Sequence, residues 1–213
     1  MLDIEIFSDV ICPWCFIGKR RLDAVLATEV GEGVSVRWRP YQLYPNIPPE
    51  GADRREYLQR RYGPNADPGR MPARIAEESQ AEGITLRYDL MERTPNTLLA
   101  HRLLEFAHEQ DCQHALAEAL FQAYFCEGRD VGDADSLVEI AEATGLPAAA
   151  AADYLASDAG MESVQAQLAR AVDVGVSGVP GYYLANGFLL PGAQTADTMA
   201  QIISRVKSKL AGG

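Results

Sequence analysis

Cysteine and histidine are scarce in this chain of 213 residues, which has four cysteines and three histidines. Four cysteines are too few for the disulfide-rich scaffold of a small secreted protein. A zinc site usually needs a second pair of ligands at close spacing. The remaining candidates form no second Cys-x-x-Cys pair: Cys112, Cys126, His101, His108 and His114. The sequence therefore predicts no metal site.

Long apolar runs and excess positive charge are also missing. No apolar run approaches the ~20 residues that a membrane-spanning helix needs, and the short apolar run after Met1 lacks the basic region of a signal peptide. We therefore expect a cytoplasmic protein without membrane association. The formal net charge is −11, from 19 Lys and Arg against 30 Asp and Glu. This charge argues against a nucleic-acid surface, because such binding neutralises phosphates.

The chain begins with a strand pattern that runs into a Cys-Pro-Trp-Cys motif. Apolar and acidic residues alternate over residues 2–7, which predicts a strand. After the motif the apolar spacing becomes helical, and Pro13 falls at the first helical position, where its missing N–H costs nothing. Cys12 is thus placed at a helix N-terminus. One face of this helix has Cys15, Gly18, Leu22, Val25 and Leu26, and Lys19, Arg20, Arg21 and Asp23 fall largely away from it.

Cys12 and Cys15 form the candidate redox centre. The thiolate is the nucleophilic form of cysteine, and the unpaired N–H groups at a helix N-terminus stabilise an anion at Cys12. Cys15 lies within the same turn and is farther from the helix end, so its role would be to resolve a mixed disulfide. The alternatives are half of a zinc site or two ordinary core cysteines. The strand and helix around the motif favour redox chemistry.

Strict alternation over Val34–Arg39 predicts a second strand, so strand, helix and strand form a parallel βαβ unit with a right-handed connection. The ligand site should lie beyond the carboxyl ends of these strands, where Cys12 is. A proline-rich stretch follows over residues 40–51. Helical patterns then cover residues near 53–62, 72–83, 95–110, 112–127, 134–144, 147–157 and 161–175. The clearest of them has Thr94 as its cap and Pro95 at its first position.

Strand patterns return near the end of the chain. Two apolar runs, Tyr182–Ala185 and Phe188–Leu190, flank Asn186-Gly187 and predict a two-residue hairpin. A closing helix is predicted from Thr195 through Leu210. The chain is therefore expected to divide into a β-α-β part over residues 1–50, an all-helical insertion over 51–160, and an α-β-β-α part over 161–213.

Segments spread over nearly the whole chain carry a family resemblance: Ser8–Arg20, Arg39–Leu43, Pro48–Gly51, Asn96-Thr97 with Ala100–Leu103, Glu127–Asp133, Gly178–Pro180 and Gly192–Gln194. In these segments the chain resembles the DsbA family. The resemblance implies an α/β protein with a thioredoxin-like fold that is interrupted by an all-helical insertion domain. The resemblance is closest to the cytosolic FrnE-like dithiol–disulfide oxidoreductases and isomerases. It implies a redox enzyme with Cys12 as the attacking residue and Cys15 as the resolving one.

The same resemblance implies how a substrate is held. Pro13 and Trp14 would contact it, and Val179, before a cis Pro180, would offer its backbone N–H and C=O to an extended peptide or to glutathione, as in strand addition. The expected partner is a thiol or disulfide of a protein, a peptide or glutathione. Glutathione would be a co-substrate, with no metal or prosthetic group. Relatives have a buried acid six residues before the nucleophile, whereas this chain has Ile6, so no base for Cys15 is assigned.

Several assignments have two interpretations. His101 either faces the active site from the helical insertion or is a buried histidine satisfied at the domain interface. Gln194 with Thr195 either binds a glutathione carboxylate through helix-end N–H groups or belongs to a plain helix cap. Cys112 and Cys126 are expected to be free thiols.

Two rival functions remain beside the redox enzyme. One is a glutathione-dependent isomerase or transferase of the 2-hydroxychromene-2-carboxylate isomerase and kappa-class group, in which serine commonly stands at the first cysteine position. The other is a holdase-like binding module that would keep its activity after Cys12→Ser. The direction of thiol exchange and a homodimer are left open.

Overall fold

The computed structural model describes residues 1–185 and 187–212. Its strands are β1 (Leu2–Ser8), β2 (Val34–Pro40), β3 (Ala52–Asp53), β4 (Arg93–Thr94), β5 (Gly181–Leu184) and β6 (Phe188–Pro191). Its α-helices are α1 (Pro13–Leu26), α2 (Arg54–Tyr62), α3 (Ala73–Ala81), α4 (Leu98–Glu109), α5 (Gln113–Glu127), α6 (Ala134–Ala143), α7 (Ala148–Ala156), α8 (Met161–Asp173) and α9 (Ala196–Ala211). No helix in these two ranges is long and apolar enough to cross a membrane.

The main sheet has the strand order β2-β1-β5-β6. Strand β1 pairs in parallel with β2, from Leu2 opposite Val34 to Ser8 opposite Pro40, and antiparallel with β5. Strands β5 and β6 form the antiparallel pair of the predicted hairpin. Of its Asn186-Gly187 turn, Asn186 lies outside the described residues. The parallel β1-α1-β2 unit is confirmed, whereas the division of the chain at residues 50 and 160 stays a prediction.

Helix α1 begins as the sequence predicts, with Cys12 at the N-cap and Pro13 at the first helical position. The prediction that Lys19 and Arg21 lie away from the buried face is wrong, because both are buried. The Lys19 ammonium lies 2.7 Å from the Asp23 carboxylate and 3.2 Å from that of Glu118 on α5. Helix α1 has neighbours on more than one side, so long basic side chains are enclosed where carboxylates pair with them.

Helix α4 begins later than predicted. It starts at Leu98, whose N–H donates to the Asn96 side-chain oxygen over 3.0 Å. Thr94 instead belongs to β4, paired with Ala52 of β3 in a two-residue ladder that the sequence analysis did not predict. The physical reason is that the residue before a proline is biased toward extended backbone, so Thr94 favours a strand over a helix cap.

Aromatic side chains join α1 to the helical segment, which comprises helices α2–α7. Phe16 of α1 stacks on Phe121 of α5 with ring centroids 5.3 Å apart, and Trp38 of β2 meets Phe121 edge-on at 5.9 Å. The Trp38 ring N–H donates to His114 Nδ1 over 3.0 Å, and His114 Nε2 lies 2.7 Å from Asp23 Oδ1. His114 of α5 therefore bridges β2 and α1.

Candidate active site

Cys12 is held where the loop after β1 becomes helix α1. Its N–H donates to the Asp9 carbonyl over 3.0 Å, and its own carbonyl accepts from Cys15 N–H at 3.0 Å and from Phe16 N–H at 3.3 Å. These bonds place both cysteines in one helical turn. The Cys12 side chain therefore lies at the positive end of α1, where an anion is stabilised.

The segment around Pro180 packs against Cys12. The Cys12 thiol donates to the Val179 carbonyl across 3.6 Å, and the Val179–Pro180 peptide bond is cis. Residues 12 and 179 are thus brought together from opposite ends of the chain by the pairing of β1 with β5. The Val179 carbonyl is therefore in contact with the Cys12 sulfur.

Cys15 is the more enclosed of the two thiols, with 1% of its surface exposed against 3% for Cys12, and both are free. Burial raises the pKa of the Cys15 thiol well above its usual value, and the hydrogen bond with Cys12 and the charge of Cys12 raise it further. The Ser8 hydroxyl and the backbone at Asp9 act in the opposite direction, toward a lower pKa. Cys15 therefore holds its proton more firmly than an ordinary cysteine, and it becomes easier to ionise once Cys12 is bonded to another sulfur.

Three buried polar atoms near the cysteines have no hydrogen-bond partner among residues 1–185 and 187–212: Ser8 Oγ, Asp9 Oδ1 and the Tyr182 hydroxyl. Asp9 is fully buried, and its other carboxylate oxygen accepts from the Leu43 N–H over 2.7 Å. Tyr182 lies on β5 directly opposite Ile6 of β1. Roles for Ser8 and Tyr182 were not predicted, because no sequence motif marks a hydroxyl that the sheet brings near Cys15.

The two uncertain site residues each have hydrogen-bond partners other than the thiols. His101 is buried, with Nε2 3.0 Å from the Tyr41 carbonyl and 3.5 Å from Asp9 Oδ1, an arrangement that fits a structural histidine. The Gln194 side chain donates to the Pro191 carbonyl over 2.6 Å, and Thr195 caps α9 by accepting from the Thr198 N–H. Neither His101 nor Gln194 lines the cavity beside Cys12.

That cavity has a volume of about 790 Å³. It brings together the predicted site residues Cys12, Pro13, Trp14 and Val179, and adds residues from the helical segment that were not predicted, among them Arg54, Tyr88 and Tyr124. The Arg74 guanidinium covers the Trp14 ring at 5.4 Å. No sequence pattern marks these additional cavity residues, because they are far from Cys12 along the chain.

A family comparison agrees with this arrangement. The family model of the DSBA-like thioredoxin domain matches residues 3–204. The chain belongs to the DSBA-like thioredoxin family. The predicted family and fold are therefore confirmed, while the narrower FrnE-like assignment stays a prediction.

Among solved structures, this DSBA-like chain is similar to a probable DsbA oxidoreductase, SCO1869 from Streptomyces coelicolor. The two are 29% identical, with a TM-score of 0.84, over 98% of this chain and 91% of that one. Both the fold and a substantial share of the sequence are thus common to the two proteins.

Two further structures share the DSBA-like fold. The cytosolic disulfide reductase DsbM from Pseudomonas aeruginosa is 18% identical over 99% of this chain and 100% of its own, with a TM-score of 0.69, and it has also been solved with GSH. A 2-hydroxychromene-2-carboxylate isomerase is 17% identical over 99% of this chain and 98% of its own, with a TM-score of 0.70. At these identities the likeness concerns the fold alone.

Proposed function

We propose that this DSBA-like protein is a thiol–disulfide oxidoreductase in which Cys12 attacks and Cys15 resolves. The observation that carries the proposal is the position of the two thiols in one turn at the N-terminus of α1, with Cys12 bordering the cavity and Cys15 enclosed behind it. Membership of a family with disulfide oxidoreductases among its structural neighbours supports redox chemistry of this kind.

The proposed reaction has two exchange steps. The Cys12 thiolate attacks one sulfur of a substrate disulfide, forming a mixed disulfide and releasing the first thiolate of the substrate, which takes a proton from water. The Cys15 thiol then gives its proton to water, and its thiolate attacks Cys12 Sγ, which releases the second substrate thiolate to take up a proton from water. Two electrons pass from the Cys12–Cys15 dithiol to the substrate, and the reverse sequence oxidises a substrate dithiol. The redox poise of the surroundings decides the direction.

We propose a protein, peptide or glutathione as the thiol or disulfide substrate, held at Pro13, Trp14 and the backbone of Val179. DsbM supports glutathione as a co-substrate, since that fold neighbour was solved with GSH. The proposed exchange needs no metal or prosthetic group. A cytoplasmic location is consistent with the cytosolic DsbM. Whether the protein is a homodimer is to be measured.

A redox titration in glutathione buffers tests the proposal. Intact mass after alkylation counts the thiols that remain, and we expect two of the four cysteines to oxidise together in one two-electron transition. The single variants Cys112→Ser and Cys126→Ser serve as controls, because these thiols lie outside the centre. They should leave the midpoint unchanged.

The variant Cys15→Ser tests the order of the two steps. It removes the resolving thiol, so a mixed disulfide with glutathione should accumulate at Cys12 and be found there by peptide mapping. A mixed disulfide that forms at Cys112 or Cys126 instead, or no transition in the unchanged protein, would contradict the proposal.

The second candidate is a glutathione-dependent isomerase. The cavity of about 790 Å³ next to Cys12 has a volume in the range of small-molecule sites, and an isomerase shares the fold. On this hypothesis glutathione binds without a covalent bond, and Cys12→Ser keeps both glutathione binding and activity. Calorimetry of Cys12→Ser with glutathione, together with the redox titration, separates the two candidates.

A further inference from the structure

Arg54 is a cation without a carboxylate partner in the cavity that Cys12 borders. It begins α2, and no ion pair or side-chain hydrogen bond joins it to any residue in 1–185 or 187–212. Its Nε is buried and has no partner in the same ranges. Other buried or half-buried arginines of this chain are paired, such as Arg21 with Glu82 at 2.7 Å and Arg129 with Glu139 at 2.8 Å. A half-buried arginine left unpaired in a cavity is available to a ligand.

The cavity is cationic within an acidic protein. Of its described lining residues, Arg54 and Arg70 are basic and Asp67 is acidic, so the lining carries a net positive charge. The Asp67 carboxylate accepts from the Gly69 N–H over 2.9 Å. The chain as a whole has a formal net charge of −11. A concave site of one sign concentrates ligands of the opposite sign, and this site favours anions where the surrounding protein repels them.

Tyr88 lines the same cavity as Arg54 and Cys12. The Arg54 guanidinium lies 5.4 Å from the centroid of the Tyr88 ring, a cation–π contact that holds it at the cavity wall. Burial raises the pKa of the Tyr88 hydroxyl to about 12, with the charge of Arg54 opposing the rise and that of Cys12 adding to it. The Tyr88 hydroxyl is therefore neutral at physiological pH.

We infer that Arg54 binds a carboxylate of the substrate while the substrate sulfur lies at Cys12, so that the enzyme selects small disulfides and thiols that carry a negative charge. This inference rests on the proposed exchange function and adds the substrate class to it. Guanidinium matches a carboxylate with two parallel hydrogen bonds. The bonds form in a half-enclosed cavity, where they are screened less than at the surface.

Three small symmetric disulfides test the inference, since they differ mainly in charge: anionic 3,3′-dithiodipropionate, neutral bis(2-hydroxyethyl) disulfide and cationic cystamine. The reduced protein is mixed with each, and the single-turnover rate of oxidation is measured at low salt. The unchanged protein should prefer the anionic disulfide. Arg54→Gln should lower its rate roughly 10- to 100-fold, the range of a lost hydrogen bond to a charged group, and leave the neutral disulfide within about twofold.

Two variants control for charge and for folding. Arg55→Gln removes the same charge from an exposed neighbour on the same helix, and it should leave the preference unchanged. Arg54→Lys keeps the positive charge and should recover part of the rate with the anionic disulfide. Circular dichroism and the rate with the neutral disulfide check that each variant is folded.

The outcomes separate this inference from the proposed function. Equal loss with all three disulfides in Arg54→Gln would assign Arg54 a packing role against Tyr88 and overturn the inference. Equal loss in Arg55→Gln would show an effect of overall charge, which overturns it as well. An unchanged protein that reacts with none of the disulfides would instead overturn the exchange function, and the inference with it.

Discussion

Cys15 has the Ser8 hydroxyl near it, whereas no base for Cys15 was assigned from the sequence. Ile6 cannot accept a proton. Burial raises the pKa of the Cys15 thiol, and the Ser8 hydroxyl, two residues farther along β1, acts to lower it. The buried Ser8 Oγ has no hydrogen-bond partner in the described part of the chain. We therefore regard Ser8 as the residue that favours the Cys15 thiolate during resolution.

Ser8→Ala should slow the resolving step roughly tenfold, because a hydrogen bond to a charged group contributes about 1.5–3 kcal/mol. Attack by Cys12 should keep its rate, since the hydroxyl acts on Cys15. Stopped-flow measurement of mixed-disulfide formation and decay separates the two steps. Ser35→Ala, on β2 and exposed, is the matched control. Equal slowing of both steps would assign Ser8 a structural role instead.

At the scale of elements, α1 and β5 approach each other closely at Gly18. A methyl group added there would lie 2.3 Å from the Tyr182 hydroxyl, 3.3 Å from a ring carbon of Pro180 and 3.4 Å from the Ala193 methyl. Tyr182 is fully enclosed, so its ring cannot move aside at low cost. This contact sets the distance between the redox helix and the strand that follows Pro180.

Gly18→Ala should lower the free energy of unfolding by about 1–3 kcal/mol, the usual cost of overpacking a core. Tyr182→Phe removes the oxygen that the new methyl meets, so the double variant should regain most of that loss. Urea denaturation of the two single variants and the double variant measures the coupling. Additive effects would mean that the strain lies elsewhere, for example against Pro180.

A second contact between elements is the carboxylate of Glu5 on β1. It accepts from Arg39 of β2 and, over 2.6 Å, from Arg170 of α8. Burial by itself raises the pKa of Glu5, but the hydrogen bonds from Arg170 and Arg39 outweigh it and hold the pKa below its usual 4.5. Glu5 thus binds its proton less readily in the folded state than in the unfolded one.

Glu5→Gln should cost about 1–3 kcal/mol of stability at pH 7, because two arginines lose a charged acceptor. A carboxylate with a lowered pKa stabilises the fold above its unfolded pKa, and this stability is lost as the pH falls through the folded value. The difference between the two proteins should therefore be constant at neutral pH and shrink below about pH 4.5. Glu32→Gln, an exposed position, is the control. A difference that grows in acid would contradict this assignment.

At the scale of the whole molecule, one core connects the sheet with the helical segment. Phe16, Trp38 and Phe121 belong to the same buried cluster as residues of α4, α6 and α7. The sheet itself combines strands from the two ends of the chain. Neither part buries its apolar surface without the other, so we expect a single cooperative unfolding transition.

Phe121→Ala should lower the free energy of unfolding by about 3–5 kcal/mol, the cost of removing a buried aromatic ring. Tryptophan fluorescence reports Trp38 of the sheet together with Trp14 at the start of α1, and far-ultraviolet circular dichroism reports chiefly the helices. Both signals should shift to the same lower denaturant concentration. Separate shifts would show that the helical segment unfolds independently. Phe188→Ala, at an exposed ring on β6, should leave both midpoints nearly unchanged.

Local chemistry was sufficient to predict the first strand, the start of α1 and the parallel β1-α1-β2 unit. Alternation, a proline at the first helical turn and the cysteine spacing all act within a few residues, so they can be read without knowing the fold. The thioredoxin-like fold and the DsbA family followed from motifs spread over most of the chain, and the comparison over residues 3–204 confirmed them.

The tertiary structure decided what lies around those motifs. It buried Lys19 and Arg21, which their helical face had placed outside, and it moved Thr94 from a helix cap into a strand. It also brought Arg54 to the cavity of Cys12. Periodicity describes one face of one element, whereas burial, partner charges and cavity walls depend on residues far away along the chain. The sequence by itself thus determined which residues are chemically suited to redox work, and long-range packing determined which groups surround them.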